Sequence, residues 1–239
     1  MTYPFKCDVH THTLPGIDDG SKDVAESLVM LESQWQQGVE IAFLTPHFYA
    51  DEQDPVTFLK RRYRAWRQLE SALHPQLPQL RLGAEVQYFE GICEVEEIRH
   101  LRIVGTNLLL LEMPFCHWSD RMLSDVTELG LRYDLQIVLA HIERYMAKQS
   151  PNLWRSLSAE GIWLQSNVSF FANKKTKKQA LAMLESGQIQ LLGSDCHNMN
   201  HRQPNWAQLP PQAREAYGQT AAYRAIRQMD SDGIHLEML

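Results

Sequence analysis

Nine side chains of the types that bind metal ions lie at or just beyond the ends of apolar runs along this chain. Five are histidines and four are carboxylates: His10, His12, Asp19, His47, Glu85, Glu112, His141, Asp195 and His197. Imidazole nitrogens and carboxylate oxygens are ligands that manganese, iron and zinc take in proteins. The residue types therefore predict a metal centre, provided that the fold brings these distant positions together.

The first and the last members of this set lie in two short motifs. His10 and His12 lie two residues apart in one motif, and Asp195 and His197 repeat that spacing in the other. Side chains alternate between the two faces of an extended backbone, so residues two apart share a face. Each pair could therefore reach a single ion. A lone pair of this kind is common on surfaces and in cores, so the decision rests on where the other polar residues lie.

The elements that must position these residues alternate along the chain. Short apolar runs predict seven strands, at residues 5–10, 40–46, 80–86, 107–112, 136–141, 162–167 and 190–195. Helical spacing of apolar residues between them predicts helices over 22–37, 55–74, 119–131, 151–159, 174–186 and 211–229. This alternation is typical of an α/β protein with a parallel sheet, here a barrel or near-barrel of seven strands.

The predicted strands end in polar side chains. In chain order these are His10, His47, Glu85, Glu112, His141, Asn167 and Asp195. In α/β barrels the functional groups collect at the carboxyl ends of the strands. Buried carboxylates are also costly unless they are paired or bind an ion. We therefore expect these residues to meet in one pocket, with Asn167 as a hydrogen-bonding residue rather than a ligand.

Composition limits the class of protein. The chain has 239 residues, of which 44% are hydrophobic and 22% charged, with a net charge of -6. These values predict one globular domain over residues 1–239 and disfavour nonspecific nucleic-acid binding. No secretory leader is expected, because Met1 to Lys6 lack its charged-then-apolar layout. No membrane-inserting run is expected either, because no apolar stretch reaches about 20 residues. The predicted location is the cytoplasm, and the oligomeric state stays open.

The cysteines offer a competing chemistry. Cys93 and Cys196 each precede an arginine by the spacing of a cysteine-phosphatase loop, namely Arg99 and Arg202. Neither interval contains glycine, and the first contains three glutamates, which would repel phosphate. We therefore expect free thiols, no cysteine catalysis and no thiolate ligand to the metal.

Five segments of the chain carry the pattern of a known group of enzymes. They are residues 10–20 (HTHTLPGIDDG), 45–47 (TPH), 83–85 (GAE), 140–145 (AHIERY) and 194–198 (SDCHN). These segments resemble the polymerase-and-histidinol-phosphatase (PHP) superfamily, and more narrowly the bacterial manganese-dependent tyrosine phosphatases of capsule and exopolysaccharide loci. The resemblance covers nearly the whole chain and implies a distorted (β/α)7 barrel with the metal site at the carboxyl ends of its strands.

The resemblance also implies two or three divalent ions, with manganese preferred and iron or zinc as alternatives. By matching motif positions, the first ion takes His10, His12, Glu85 and Asp195, and the second takes Glu85, Glu112 and His141. The third takes Asp19, His47 and His197. The chain departs from the pattern after Asn198, where Arg202-Gln203-Pro204 stands in place of Arg-Pro-Pro.

Such a cluster favours phosphate-ester hydrolysis. Divalent ions attract a phosphate dianion and lower the pKa of bound water, which supplies hydroxide at neutral pH. Arg144 and Arg202 are candidates to bind the phosphate, because a guanidinium donates two parallel hydrogen bonds. The resemblance implies a phosphotyrosine protein as substrate, namely an autophosphorylating bacterial tyrosine kinase that controls capsule or exopolysaccharide synthesis. No organic cofactor is predicted.

Two other functions remain open from the residues alone. One is hydrolysis of histidinol phosphate or another small phosphomonoester, and the other is a non-catalytic metal-binding module of a polysaccharide assembly complex. Three smaller predictions concern single residues. We expect Trp118 and Trp206 near the mouth of the site, where either could stack on a substrate ring. Asp8 is expected to orient an imidazole, and Asp18 or a metal-bound water is a candidate for the acid that protonates the leaving group.

Overall fold

The parallel strands of this protein form a distorted barrel. The structure, a computed structural model, describes residues 6–229. Its strands are β1 (Lys6–Thr11), β2 (Val39–Leu44), β3 (His47–Phe48), β4 (Gln79–Leu82), β5 (Glu85–Gln87), β6 (Leu108–Glu112), β7 (Gln136–Leu139), β8 (Trp163–Asn167) and β9 (Leu191–Gly193). The strands pair in parallel in the orders β1-β2-β4 and β3-β5-β6-β7-β8-β9.

Nine segments fill seven strand positions because two predicted strands are divided. Thr45 and Pro46 separate β2 from β3, and Gly83 and Ala84 separate β4 from β5. Proline has no amide to donate to a neighbouring strand, so a break there is expected. At Gly83, a Cβ would lie 2.2 Å from the side chain of Ile103, so glycine permits a close approach. After both breaks, His47 of β3 pairs in register with Glu85 of β5.

A seam between the two ends of the chain completes the ring. Thr11 bridges to Cys196 in parallel fashion, and the amide of Asp195 donates to the carbonyl of His10 at 2.8 Å. The amide of His12 donates in turn to the carbonyl of Cys196 at 2.9 Å. The predicted α/β barrel with seven strand positions is therefore confirmed.

Helices cover the outside of the barrel. They are α1 (Val24–Gln36), α2 (Pro55–Glu70), α3 (Asp120–Tyr133), α4 (Leu153–Ala159), α5 (Val168–Ala172), α6 (Lys177–Glu185), α7 (Pro211–Gly218) and α8 (Ala221–Met229). The three longest begin at a side chain that accepts a hydrogen bond from a first-turn amide: Asp23, Asp54 and Ser119. The predicted helix over 211–229 is two helices, and α5 was not predicted.

The connection from β5 to β6 accounts for part of the distortion. It contains two 3₁₀ stretches, Ile92–Glu94 and Glu96–Leu101, where a regular unit would have an α-helix. The core lies between the sheet and the helices, and β6 contributes the buried run 108–111 to it. No helix in the described range 6–229 has the length and apolar character needed to cross a bilayer.

Candidate metal centre

Glu85 lies at the middle of a cluster of imidazoles at the carboxyl ends of the strands. Its side chain is fully buried at the start of β5. Its Oε2 atom lies 3.0 Å from His10 Nε2, 3.3 Å from His12 Nε2 and 3.0 Å from His47 Nδ1. Its Oε1 atom lies 2.8 Å from His141 Nε2. One carboxylate thus contacts imidazoles that come from three separate strand ends.

The other carboxylates extend the cluster. Glu112 Oε1 lies 3.4 Å from His141 Nε2. Asp19 Oδ1 lies 3.6 Å from His47 Nε2 and 3.4 Å from His197 Nε2. Asp195 Oδ1 lies 3.7 Å from His10 Nε2 and 3.6 Å from both His12 Nε2 and His197 Nδ1. The structure therefore brings together all nine side chains that the sequence singles out.

The spacing of these atoms matches that of ligands around an ion. Three sets have ligand atoms within 4.8 Å of one another: His12 with Asp19, His47 and His197; His10 with His12 and Asp195; and His47 with Glu85 and Glu112. Ligands about 2.1 Å from an ion lie about 3.0–3.4 Å apart in octahedral or tetrahedral arrangement. Most distances in the cluster fall near this range. The sets overlap the predicted division but are not the same as it. His12 and His47 each belong to two sets, Glu85 belongs to one instead of two, and His141 belongs to none.

Buried nitrogen and oxygen atoms that lack a hydrogen bond indicate whether the cluster suits a cation. Glu85 Oε2, His47 Nδ1 and His197 Nε2 are buried and make no hydrogen bond with the described residues. Although His47 Nδ1 and Glu85 Oε2 are only 3.0 Å apart, their geometry is not that of a hydrogen bond. Buried polar atoms without partners are costly, and cations bound in the cluster would satisfy them. These nitrogen and oxygen donors suit manganese, iron or zinc.

Two of these side chains belong to residues with a left-handed backbone conformation. His141 has φ +32° two residues after the end of β7, and Asp195 has φ +55° two residues after the end of β9. Left-handed backbone is uncommon in residues other than glycine and costs about 1–3 kcal/mol. The end of each strand holds this strained conformation, and both side chains enter the cluster from it.

A buried ion pair sets the charge of His12. Asp18 Oδ2 accepts from His12 Nδ1 at 2.7 Å and from the amide of His47 at 2.9 Å. Burial opposes the charged imidazolium, yet Asp18 and Glu85 outweigh it and raise the pKa of His12 to about 10. Burial also opposes the charged form of Asp18, but His12 lowers the pKa of that carboxyl to about 2. The lowered pKa and the hydrogen bond from His12 favour an ionised Asp18, which does not support the expected role as an acid.

The remaining imidazoles differ from one another. Burial disfavours a proton on His141, but hydrogen bonds to Glu112 and Glu85 raise its pKa to about 9. Burial and the neighbouring His12 lower the pKa of His197 to about 3. Glu85 is fully buried, yet His10 and the other imidazoles hold its pKa well below the usual range. The cluster therefore contains an ionised carboxylate surrounded by imidazoles, which is a ready ligand set for cations.

Asp8 holds backbone and neighbouring side chains rather than an imidazole. It is fully buried, and it accepts from the amide and hydroxyl of Ser194 at 2.9 and 2.6 Å and from Trp206 Nε1 at 2.7 Å. The amide of His10 lies 3.3 Å away. The expectation that Asp8 orients an imidazole is therefore wrong. Its contacts instead fasten β1 to the segment that carries Asp195.

Both predicted arginines contact one carboxylate. Arg202 Nη2 lies 2.5 Å from Asp195 Oδ1, and Arg144 Nη2 donates to Asp195 Oδ2. Arg144 Nη1 is also 3.9 Å from Glu112 Oε1. The side chains are 39% exposed for Arg144 and 37% for Arg202, so both reach solvent at the mouth of the cluster. This position suits binding of an incoming anion.

The cysteines lack the surroundings of a nucleophile. Burial and the nearby Asp8 raise the pKa of the Cys196 thiol well above its usual range. Burial and Glu128 raise the pKa of Cys93 to about 11. Arg99 pairs with Glu96 at 3.0 Å on the surface. Since a reactive cysteine needs a lowered pKa, neither spacing forms a cysteine-phosphatase loop.

The two tryptophans expected at the mouth are buried. Trp118 is 2% exposed and packs edge-on against Trp154, whereas Trp206 is fully buried against Tyr217. The expectation that they could stack on a substrate is wrong. The aromatic residues beside the cluster are instead Tyr49, stacked on His47 at 5.1 Å, and Tyr145, 5.7 Å from His141.

The family of the chain follows from a comparison with known proteins. The model of the family described as "Capsular polysaccharide synthesis, CpsB/CapC" matches residues 6–231. This protein belongs to the CpsB/CapC family. The motifs around His10, His141 and Asp195 are thus those of a CpsB/CapC protein, as the resemblance implied.

Known CpsB/CapC relatives align over most of this chain. Tyrosine-protein phosphatase CpsB of Streptococcus agalactiae is 28% identical over 229 residues, covering 88% of this chain and 87% of the relative. Tyrosine-protein phosphatase YwqE of Bacillus subtilis is 28% identical over 214 residues, covering 82% and 78%. A crystal structure described as that of YwqE from Bacillus subtilis and CpsB from Streptococcus pneumoniae, "unique metal-dependent tyrosine phosphatases", aligns with TM-score 0.74 and 22% identity. It covers 94% of this chain and 93% of that one, so the fold is shared.

Proposed function

We propose that this protein is a metal-dependent tyrosine phosphatase whose ligands are His10, His12, Asp19, His47, Glu85, Glu112, His141, Asp195 and His197. The observation that carries the proposal is the position of Glu85, within 3.3 Å of imidazoles from three strand ends, beside two arginines at the mouth. The names of the CpsB and YwqE relatives support the substrate class. Manganese is the proposed metal, and residues 1–239 are proposed to act as one domain.

The metal ligands and the two arginines would have different roles in the reaction. Divalent ions in this ligand set would lower the pKa of a bound water and offset the charge of the phosphate. Arg144 and Arg202 would each donate to phosphate oxygens from the solvent side, since both side chains are more than a third exposed. A phosphate held by these guanidinium groups would lie between them and the cluster, with room for its ester group on the solvent side. A phenol leaves with a pKa near 10, so it needs less protonation than an alkyl alcohol.

Aromatic residues outside the cluster favour a substrate whose leaving group is a phenol. Phe115 lies three residues beyond Glu112 and is 66% exposed. Its ring centroid is 6.3 Å from that of Tyr145, which in turn contacts His141. Lys148 Nζ lies 5.2 Å from the centroid of Phe115. An exposed aromatic face beside a cation suits the ring of a phosphotyrosine and an acidic residue next to it.

The proposed partner is a bacterial tyrosine kinase that regulates capsule or exopolysaccharide synthesis, and the proposed location is the cytoplasm. The family description supports the link to capsular polysaccharide. The location is supported by Cys93, Cys116 and Cys196, which form no disulfide within the described residues, since a reducing compartment keeps thiols reduced. Hydrolysis of histidinol phosphate is the second candidate, on the same cluster.

One set of assays separates these functions. Hydrolysis of a phosphotyrosine peptide and of histidinol phosphate is measured with Mn²⁺, after chelation, and after readdition of Mn²⁺. We expect the peptide to be preferred and the activity to disappear reversibly on chelation. Higher kcat/KM on histidinol phosphate would favour the second candidate, and retained activity after verified removal of the metal would reject the metal mechanism. Binding of metal without turnover of either ester would indicate a non-catalytic module.

A substitution at the mouth sharpens this test. Phe115→Ala should raise the KM for the peptide about fivefold, because an aromatic contact contributes about 1 kcal/mol, and leave histidinol phosphate hydrolysis unchanged. Leu131→Ala is the control, since Leu131 is 81% exposed on α3 and carries no part of the proposed site. An unchanged peptide KM in Phe115→Ala would remove the aromatic contact from the proposal.

A further inference from the structure

A buried amide on β8 contacts two of the proposed ligands at once. Gln165 is fully buried, and its Oε1 atom lies 3.2 Å from His10 Nδ1 and 2.7 Å from the amide nitrogen of His141. Its Nε2 atom donates to Asn167 Oδ1 at 3.0 Å. The residue lies in the middle of the strand and not at its end, where the metal-ligand types gather.

We propose that Gln165 is the positioning residue that fixes the tautomer of His10 and holds His10, His141 and Asp195 in one arrangement. The inference rests on the proposed metal centre. It concerns how that centre is assembled rather than what it hydrolyses, and it can be tested without a substrate.

The orientation of the Gln165 amide follows from its neighbours. The backbone amide of His141 can only donate, so the atom that faces it at 2.7 Å must be the side-chain oxygen. The amide nitrogen then faces Asn167 Oδ1, which accepts its hydrogen bond. A flipped amide would place two donors against each other at His141 and two acceptors at Asn167. The direction of every bond around Gln165 is therefore determined.

This orientation determines which nitrogen of His10 is free for a metal. Since Gln165 Oε1 accepts, His10 Nδ1 must carry the proton and donate to it. The lone pair is left on Nε2, the atom that lies 3.0 Å from Glu85 Oε2 and 3.1 Å from His12 Nε2. Nε2 points into the cluster, so the protonation state set by Gln165 is the one that metal binding requires.

A second chain of bonds reaches the opposite side of the cluster. Asn167 Nδ2 donates to Asp195 Oδ2 at 2.9 Å, which leaves Asp195 Oδ1 directed toward the imidazoles of His10 and His12. Gly193 makes room for this arrangement. A Cβ at that position would lie 2.6 Å from His10 Cβ and 3.1 Å from Gln165 Nε2. Gln165 thus connects His10 of β1 with His141, which follows β7, and through Asn167 with Asp195, which follows β9.

Three variants test the inference. Gln165→Met removes both the acceptor and the donor, whereas Gln165→Glu keeps an acceptor for His10 and His141 but cannot donate to Asn167. Gln190→Met is the control, because Gln190 Oε1 also accepts from a backbone amide at 2.7 Å, that of Leu164. Mn²⁺ affinity is measured by calorimetric titration of each full-length protein. Long-range ¹⁵N–¹H spectra of the metal-free proteins report which ring nitrogens carry protons.

We expect Gln165→Met to lower Mn²⁺ affinity about 10–100-fold and to lose the protonated Nδ1 signal of His10. Gln165→Glu should keep that signal, and Gln190→Met should match the wild type in both measurements. An affinity for Gln165→Met within about twofold of the Gln190→Met value would overturn the inference, as would an unchanged His10 signal. If Gln165→Met does not fold, loss of the His10 signal in Gln165→Glu overturns it instead. Failure of the wild type to hydrolyse phosphotyrosine would reject the proposed function but leave these expected results unchanged.

Discussion

Asp18 accepts a hydrogen bond from Nδ1 of His12 at 2.7 Å, so the nitrogen of His12 that faces Glu85 is Nε2. The same carboxylate oxygen accepts from the amide of His47. Asp18 therefore positions two of the proposed ligands without lying among them. A carboxylate that holds an imidazole in this way also makes the imidazole a stronger ligand.

The first prediction concerns this contact. Asp18→Ala should lower Mn²⁺ affinity about 10–100-fold, because His12 loses the partner that fixes its ring. Asp54→Ala is the matched control, since Asp54 caps α2 on the surface. The control should lose about 1 kcal/mol of folding stability and keep its Mn²⁺ affinity. Calorimetric titration of both variants measures the difference, and equal affinities would contradict the assigned role of Asp18.

The second prediction concerns the guanidinium groups. Arg144→Lys should lower kcat/KM on a phosphotyrosine peptide about 10–100-fold, because an ammonium cannot donate two parallel bonds to phosphate. Arg202→Lys should act in the same direction. Arg121→Lys is the control, since Arg121 forms an exposed pair with Glu90. Mn²⁺ affinity is measured alongside, because both arginines contact Asp195. A fall in Mn²⁺ affinity that accounts for the loss of rate would mean that these arginines support the ligand instead of the phosphate.

The third prediction concerns the buried thiols. A Cys93→Ser, Cys196→Ala double variant should keep a rate within about threefold of the wild type, whereas removing a nucleophile costs a factor on the order of 10⁴ or more. The reason is the raised pKa of both thiols, which leaves them protonated at neutral pH. Steady-state rates on a small aryl phosphate provide the measurement. A collapse of the rate in a variant that still folds and binds Mn²⁺ would restore the cysteine mechanism.

The fourth prediction concerns protons that compete with the metal. In the metal-free protein the pKa of His141 is raised to about 9 and that of His12 to about 10, from an ordinary value of 6.5. The stability these two groups contribute is therefore fully present below pH 6.5 and is lost as pH rises through 9 to 10. Metal must displace the same protons, so Mn²⁺ affinity should rise with pH over this window.

Thermal unfolding checks this fourth prediction. The difference in Tm between Mn²⁺-loaded and chelated protein should grow as pH rises from about 6.5 to 9, because the metal replaces protons that the chelated protein loses. The Asp18→Ala variant should show a smaller change, since its His12 lacks the main charge that raises its pKa. A Tm difference that stays constant or shrinks with rising pH would contradict the assigned charges.

Much of the site could be predicted because strand ends follow a simple rule. Parallel strands bring their carboxyl ends to one edge, so residues as distant as His10 and Asp195 meet once the strands are placed. Residue type then selects the proposed ligands. The division of β2 from β3 and of β4 from β5 was missed, because one apolar run continues through each break. Thr45-Pro46 and Gly83 are the signals that could have shown it.

The residues that support the ligands could not be predicted in the same way. Gln165 lies inside a strand and has no special spacing, and its role depends on which atoms of His10 and His141 face it. Trp118 and Trp206 looked like loop residues at the mouth, but burial of apolar surface draws both indoles into the core. The exposure of Phe115 depends on the path of its loop, which no pattern in the sequence reveals.

The seam between the two ends of the barrel has a mechanical consequence. The seam lies at the bridge from Thr11 to Cys196. On one side His10 lies in β1 and His12 directly follows it, and on the other side Asp195 and His197 follow β9. An ion bound by ligands from both sides of this seam would connect the beginning and the end of the chain. Metal binding should therefore slow hydrogen exchange most along β1 and β9. Assembly of the proposed metal centre and closure of the barrel at the seam would then be coupled.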